Sequence, residues 1–290
     1  MAEPPSAAGL AHILALDAVG DGDVWHAHTP TGGRRPDIYG GQVAGQALLA
    51  AARTVERAYL PNSVHCYFLR RGDPEAPLEI TVGRTRTGRT YASRSVNVRQ
   101  DGRSIFTMLA SFHTDEPSPE FDHPMAADVP DPDTLPRRSP AHQDWRGVLD
   151  MRVVPSSDSV GRWWCRIEPG YPTDATMQLA ALLYVSDMRA GITARAAIGY
   201  GSLAAIDDEA EQAARAAVPG NFGSLDHSVW FHRVPSVTEW LYCEARPMTV
   251  RDSRGLVMGT IFDRDGRHLA TFTQEVFLKA GVAQEPDPVG

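Results

Sequence analysis

The sequence predicts an α+β protein in which one unit, a helix followed by an antiparallel sheet, occurs twice. Two segments have the composition of buried helices, and each precedes several segments in which apolar and polar residues alternate. The turns Asp101-Gly102-Arg103 and Asp265-Gly266-Arg267 lie 164 residues apart, and each joins the last two predicted strands of its half. This shared order indicates an internal duplication.

The first half is predicted to contain one strong helix and a run of strands. Residues 8–16 form a short amphipathic segment, residues 24–28 a strand, and residues 42–55 a helix. The small residues Ala44, Gly45 and Ala47 would let a sheet or another backbone approach this helix closely. The strands predicted after the helix are 63–69, 78–85, 91–99 and 105–113.

The second half repeats this order after a proline-rich segment. Residues 115–144 contain seven prolines and no apolar period, which is typical of a linker or of an irregular segment that wraps the surface. A helix is predicted from Met177 to Gly191, with Thr173 or Asp174 as its N-cap. The strands predicted in this half are 149–154, 163–167, 227–233, 240–246, 254–262 and 267–279.

A helix enclosed by a curled antiparallel sheet is called the hotdog arrangement. Such a sheet buries the apolar surface of the helix. Two copies in one chain predict a double hotdog whose sheets join edge to edge and so remove their exposed edges. We expect an N-terminal hotdog at residues 8–114, a linker at 115–144 and a C-terminal hotdog at 145–280.

Composition excludes several classes of function. The net charge of −8 argues against a general nucleic-acid or anionic-membrane binder. The three cysteines are scattered without Cys-x-x-Cys spacing, which favours a reducing compartment over a disulfide framework or a zinc cluster. There is no basic signal-peptide region and no apolar run of about 20 residues, so we expect a cytoplasmic protein that does not enter the membrane.

Common catalytic motifs are also missing from the sequence. It contains no Gly-x-Ser-x-Gly elbow, Walker loop or His-Glu-x-x-His, so neither a nucleophilic serine hydrolase nor a metalloenzyme is indicated. The candidates that remain are polar residues inside apolar segments, because a buried polar group without a partner costs about 1–3 kcal/mol.

The first candidate is Asp187, the one acid within the apolar run of the second helix. Burial and the negative end of the helix dipole both disfavour its charged form, so we expect it to be a stronger base than a solvated carboxylate. The alternative is that helical rotation turns Asp187 outward beside Arg189.

The other two candidates are Ser224, immediately before a strand, and Gln274, within the very apolar last strand. The residue 164 positions before Gln274 is Ala110, so we expect only the second half to carry catalytic groups. The alternatives are an amide that satisfies a neighbouring backbone group and a hydroxyl that starts a strand. Asp226 and His227 are expected to be structural, with the acid accepting a hydrogen bond in a local turn.

Four segments resemble the acyl-CoA thioesterase II (TesB-like) family. They are Asp37-Ile-Tyr-Gly-Gly-Gln-Val-Ala-Gly-Gln-Ala-Leu, His65-Cys-Tyr-Phe-Leu-Arg-Arg-Gly-Asp, Ser224-Leu-Asp-His-Ser-Val-Trp-Phe-His-Arg and Thr273-Gln-Glu. The likeness runs from about residue 8 to residue 280. The sequence departs from the family between Ile192 and Gly223, and Arg246-Pro247-Met248 leaves the acyl chain-length preference open.

The resemblance implies a double hotdog that hydrolyses fatty acyl-CoA to a free fatty acid and coenzyme A. It places the water-holding roles of the family on Asp187, Ser224 and Gln274, with acyl-CoA as the partner and without a cofactor or metal. Either backbone N–H groups near a helix start or the Gln274 amide would bind the oxyanion. Two alternatives are a hotdog enoyl-CoA hydratase, whose Asp-x-Asn-Pro-x-His segment is absent here, and a non-catalytic acyl-CoA-binding protein. Paired hotdogs often associate further, so a homo-oligomer is also considered.

Overall fold

The fold is one large antiparallel sheet curled around two antiparallel helices. The computed structural model describes residues 9–30, 37–137, 148–156, 159–199, 203 and 220–280. The helices in these residues are α1 (Leu10–Ile13), α2 (Gly40–Ala52), α3 (Ala175–Ser186) and α4 (Ala190–Ala196). The strands are β1 (Asp17–Ala18), β2 (Val24–Ala27), β3 (Tyr59–Phe68), β4 (Leu78–Thr87), β5 (Tyr91–Gln100), β6 (Arg103–Thr114), β7 (Leu149–Val153), β8 (Gly161–Ile167), β9 (Gly220–Ser224), β10 (Asp226–Phe231), β11 (Leu241–Arg251), β12 (Arg254–Asp263) and β13 (His268–Ala280).

The order of the strands repeats on the two sides of a central pair. The sheet runs β1-β2-β4-β5-β6-β3-β10-β13-β12-β11-β8-β7, and β9 pairs with β13. Counted outward from the β3–β10 pair, the first half reads 3-6-5-4-2-1 and the second half reads 10-13-12-11-8-7. Each list occupies the same places in its half, so the strand order supports the predicted internal duplication. The predicted double hotdog is confirmed.

The helices α2 and α3 pack against each other inside the curled sheet. Gly41 approaches the carbonyl of Tyr184 and Gly45 approaches that of Ala180, so the two helices run in opposite directions. Both helices are buried along nearly their whole length. The prediction that small residues of α2 admit another backbone is therefore confirmed, and that backbone is α3.

The second helix ends earlier than the sequence predicts. Asp174 caps α3 through hydrogen bonds to the N–H groups of Thr176 and Met177, as expected, but α3 ends at Ser186 and Asp187 is its C-cap. Arg189 then adopts a left-handed φ of 74° before α4 begins. This turn buries the Arg189 side chain, whose Nη2 donates to the carbonyl of Leu203. The prediction that one helix continues to Gly191 was wrong, because this buried contact redirects the chain.

The strand β9 was not predicted, since Gly-Asn-Phe-Gly lacks apolar alternation. It adds to the open side of β13, where Ser224 pairs with Val276. It matters because its last residue is one of the predicted site residues.

The proline-rich segment covers the outer face of the second half of the sheet as far as residue 137. Met125, Val129 and Leu135 pack on a cluster of apolar side chains there, which comprises Val154, Trp164, Trp240, Tyr242 and Phe262. Arg233 anchors the segment through ion pairs with Glu120 and Asp122, each at 2.8 Å. The predicted boundaries at residues 8, 144 and 145 lie outside the described residues. No helix in the part of the chain that the structure describes has both the length and the apolar character to cross a membrane.

Candidate active site

The three predicted site residues meet at one place in the second half. Asp187 ends α3, Ser224 ends β9, and Gln274 lies in β13. Nε2 of Gln274 donates to Oδ1 of Asp187 at 2.6 Å and to Oγ of Ser224 at 2.5 Å. Asp187 is only 9% exposed and Gln274 only 1% exposed. The alternative in which Asp187 turns outward to solvent is therefore wrong.

The pairing of β9 with β13 explains why Ser224 and Gln274 face each other. Ser224 is registered opposite Val276, and residues two apart on a strand share a face of the sheet. Gln274 and Val276 therefore both point toward the helices, and Ser224 lies diagonally across from the amide. The Ser224 hydroxyl accepts from Gln274, so its own hydrogen is left to donate.

The amide of Gln274 uses both of its N–H groups within the site. A carboxylate is an acceptor only, so the amide must turn its nitrogen, and not its oxygen, toward Asp187. One hydrogen then goes to Asp187 and the other to Ser224. The buried Oε1 atom has no hydrogen-bond donor among the residues described. In this arrangement Gln274 holds two site residues together and has no N–H left for an oxyanion.

The first half contributes the start of α2 to the same site. A Cβ atom placed on Gly40 would lie 2.8 Å from Oδ2 of Asp187 and 2.7 Å from Cε1 of Phe68. A Cβ atom on Gly41 would lie 2.6 Å from the carbonyl oxygen of Tyr184. A side chain at Gly41 would therefore collide with the backbone of α3, and one at Gly40 would displace the side chains of Phe68 and Asp187.

The electrostatic setting of Asp187 differs from the sequence-based expectation. The negative end of the α3 dipole disfavours the carboxylate, but the positive end of α2 lies beside its Oδ2 atom. The two dipoles act in opposite directions on this charge. The α3 dipole by itself therefore does not determine the base strength of Asp187, because α2 opposes it.

The residues beneath the site are buried and uncharged. Burial raises the pKa of the Cys66 thiol well above its usual value, and the negative charges of Asp187 and Asp226 raise it further. Burial lowers the pKa of His227 to about 3, so this imidazole is neutral at physiological pH. Over the described stretches of the chain, no three His, Cys, Asp or Glu side chains are grouped so that they could hold a metal ion.

The first half has different side chains at the position that corresponds to Gln274. Ala110 is registered opposite Arg94 in the sheet, as Gln274 is opposite Val257 in the second half. The Arg94 side chain is 1% exposed and donates to the hydroxyl and the carbonyl of Thr54, just beyond the end of α2. A guanidinium thus bonds to the residues just beyond the end of α2, whereas an amide bonds to the residue that ends α3.

Sequence reasoning missed the glycine pair and the residues next to Ser224. Gly40 and Gly41 directly precede a predicted helix, which is a signal of close approach, but nothing in the sequence names Asp187 as the neighbour. Asp226 was expected to accept a hydrogen bond in a local turn. That expectation was wrong, because its Oδ1 accepts from the N–H of Glu275, on another strand.

Comparison with known proteins identifies the family. Residues 28–113 match the model of the acyl-CoA thioesterase N-terminal domain, and residues 111–278 match that of the acyl-CoA thioesterase C-terminal domain. Acyl-coenzyme A thioesterase 8 of Mus musculus is 33% identical over 269 residues, which cover 88% of this chain and 83% of that protein.

Solved structures agree with this match. The acyl-CoA thioesterase II TesB2 of Mycobacterium marinum is 30% identical, with a TM-score of 0.78 over 94% of this chain and 98% of that one. A hot dog fold protein of Alicyclobacillus acidocaldarius is 25% identical, with a TM-score of 0.76 over 94% of this chain and 98% of that one. The resemblance seen in the sequence is confirmed, and the chain belongs to the acyl-CoA thioesterase family, with a double-hotdog fold.

Proposed function

We propose that this chain hydrolyses fatty acyl-CoA and that Asp187, Ser224 and Gln274 hold and activate the attacking water. The observation that carries the proposal is the double hydrogen bond of the Gln274 amide, which joins a buried carboxylate to a hydroxyl. Membership of the acyl-CoA thioesterase family supports the substrate class.

In this mechanism Asp187 is the general base. It accepts a proton from the water, and the Ser224 hydroxyl donates a hydrogen bond to the water oxygen, so that a lone pair faces the thioester carbonyl. Attack forms the C–O bond and places a negative charge on the carbonyl oxygen. When the C–S bond breaks, the thiolate of coenzyme A takes the proton from Asp187, and a free carboxylic acid is left.

The oxyanion is proposed to bind the first N–H groups of α2. The N–H groups of Gln42 and Val43 both donate to the Tyr39 carbonyl, whereas those of Gly40 and Gly41 have no acceptor among the described residues. They lie at the positive end of α2, beside Asp187. Because both Gln274 N–H groups are already used, the backbone is the better of the two donors considered from the sequence.

The experiment is thioester hydrolysis followed by thiol release over a series of acyl chain lengths. Asp187→Asn keeps the shape of the side chain but removes the base, and Gln274→Ala removes the amide. Each is expected to lower kcat by about 10²-fold or more. Asp128→Asn, an exposed acid in the proline-rich segment, is the matched control and is expected to leave kcat unchanged.

Each alternative has its own outcome in this assay. Near wild-type turnover in both site variants would refute the proposed site. Tight acyl-CoA binding without thiol release would indicate a non-catalytic binder. Loss of enoyl absorbance from crotonyl-CoA without thiol release would indicate a hydratase.

The organisation of the chain is part of the proposal. We propose that residues 8–114 and 145–280 are the two hotdog units, that 115–144 joins them, and that the three catalytic side chains all belong to the second unit, whereas the first unit contributes backbone N–H groups of α2. The family domains matched at 28–113 and 111–278 support a division near residue 114, and the second of them includes the proline-rich segment. A cytoplasmic location and association into homo-oligomers also belong to the proposal, and light scattering would measure the latter.

A further inference from the structure

The segment that follows Ser224 makes hydrogen bonds to β13, which carries Gln274, and to the last residue of α3, which precedes Asp187. Between the β9 and β10 pairings, residues 225–227 lie opposite only two residues of β13, so this segment contains a β-bulge with one extra residue. Residues three apart on a regular strand point to opposite faces. The bulge lets Ser224 and His227 both point toward the helices.

At the bulge, one backbone carbonyl bonds to a strand of the first half. The Leu225 carbonyl accepts from the N–H of Phe68, at the end of β3 in the first half, at 2.9 Å. That carbonyl is therefore not the acceptor for the N–H of Glu275 on β13. The Asp226 side chain takes this place, and its Oδ1 accepts from the Glu275 N–H at 2.7 Å. The Glu275 carbonyl accepts from the N–H of Leu225 at 2.8 Å. Glu275 follows Gln274 directly, so Leu225 and Asp226 together hold the backbone that carries the site amide, and only Asp226 does so through its side chain.

His227 makes the corresponding contact to α3. Its Nε2 atom lies 2.7 Å from Oγ of Ser186, the residue before Asp187. The Ser186 hydroxyl has one hydrogen and donates it to the Leu183 carbonyl, so the imidazole Nε2–H is the donor in the pair. Cys66 of β3 donates its thiol to the carbonyl of the same histidine at 3.0 Å.

We propose that Asp226 and His227 are positioning residues for thioester hydrolysis: Asp226 sets Gln274 against Ser224, and His227 sets Asp187 against Gln274. The proposal rests on the proposed function of those three residues. Neither positioning residue touches the water or the thioester. Asp226 acts as a hydrogen-bond acceptor and His227 as a neutral donor, so a neutral side chain with the same hydrogen-bonding group replaces each of them.

The test compares removal with conservative replacement. Asp226→Ala and His227→Leu lower kcat about tenfold or more and leave KM within about threefold, because they misplace groups that act in the transition state. Asp226→Asn keeps an acceptor oxygen and His227→Gln keeps a donor nitrogen, and both stay within about threefold of the wild-type kcat. Ser228→Ala, on the solvent side of β10, is the matched control.

Two further readouts separate positioning from general stability. Hydrogen exchange of the Glu275 amide is slow in wild type and in Asp226→Asn, and faster in Asp226→Ala. Ser186→Ala leaves β10 intact but removes the acceptor of His227, so it lowers kcat as His227→Leu does, even if the strand variants fail to fold. Two results would overturn the proposal. One is a wild-type kcat in both Ser186→Ala and Asp226→Ala. The other is a loss of kcat in Asp226→Asn equal to that in Asp226→Ala. Asp187→Asn is measured in parallel. If it stays active, the proposed catalytic role of Asp187 fails, whereas an inactive Asp187→Asn beside fully active positioning variants refutes only the positioning roles.

Discussion

Replacing Gly40 by alanine tests whether the start of α2 and the end of α3 form one site. The new Cβ would lie 2.7 Å from Cε1 of Phe68 and 2.8 Å from Oδ2 of Asp187. Ordinary contacts of this kind are about 3.5 Å or longer, so the carboxylate must move by about 0.7 Å. A misplacement of about 1 Å costs on the order of 10²-fold in rate, so we expect kcat to fall between about tenfold and 10²-fold.

The stability of Gly40→Ala should change much less than its rate. Alanine is favoured over glycine within a helix by about 1 kcal/mol, and this offsets part of the overpacking cost of about 1–3 kcal/mol. The assay is thiol release under saturating acyl-CoA, with thermal unfolding as the measure of folding. Gly22→Ala is the control, because a Cβ there meets nothing within 4 Å. A folded Gly40→Ala protein with kcat within about twofold of wild type would refute the close packing of the two helix ends around Asp187.

The remaining predictions concern one residue each. Ser224→Ala should lower kcat by about tenfold or more, whereas Ser224→Thr should retain it, because only the hydroxyl is used. Equal kcat values for these two variants in steady-state assays would contradict this. Arg94→Met should leave kcat unchanged but lower the free energy of unfolding by about 1–3 kcal/mol, because the acceptors on Thr54 lose their donor. A urea titration measures this loss, and an unchanged unfolding midpoint would argue against it. Because burial lowers the pKa of folded His227 to about 3, the unfolded chain binds one more proton between that pH and about 6.5. The stability of the wild type should therefore fall by about 1.4 kcal/mol more per pH unit than that of His227→Gln as the pH drops through this window, and parallel slopes would show that His227 is not buried as a neutral group.

Local patterns in the sequence determined most of the elements and the three candidate site residues. Helical composition located α2 and α3, alternation located most of the strands, and the Asp-Gly turns revealed the repeat. Asp187, Ser224 and Gln274 were singled out because each is a polar group in an apolar run, and a buried polar group needs a partner. Those signals act over a few residues and can be seen in the sequence by itself.

The partners of these residues were decided only by the tertiary structure. Gly40 meets Asp187 from more than a hundred residues away, and its helix opposes the dipole of α3. At the bulge, the N–H of Phe68 from the other half donates to the Leu225 carbonyl, and Asp226 bonds across the sheet and not within a turn. Contacts of this kind depend on how the two halves pack against each other. They leave no periodicity in either segment, so the sequence alone could name the site residues but not what holds them in place.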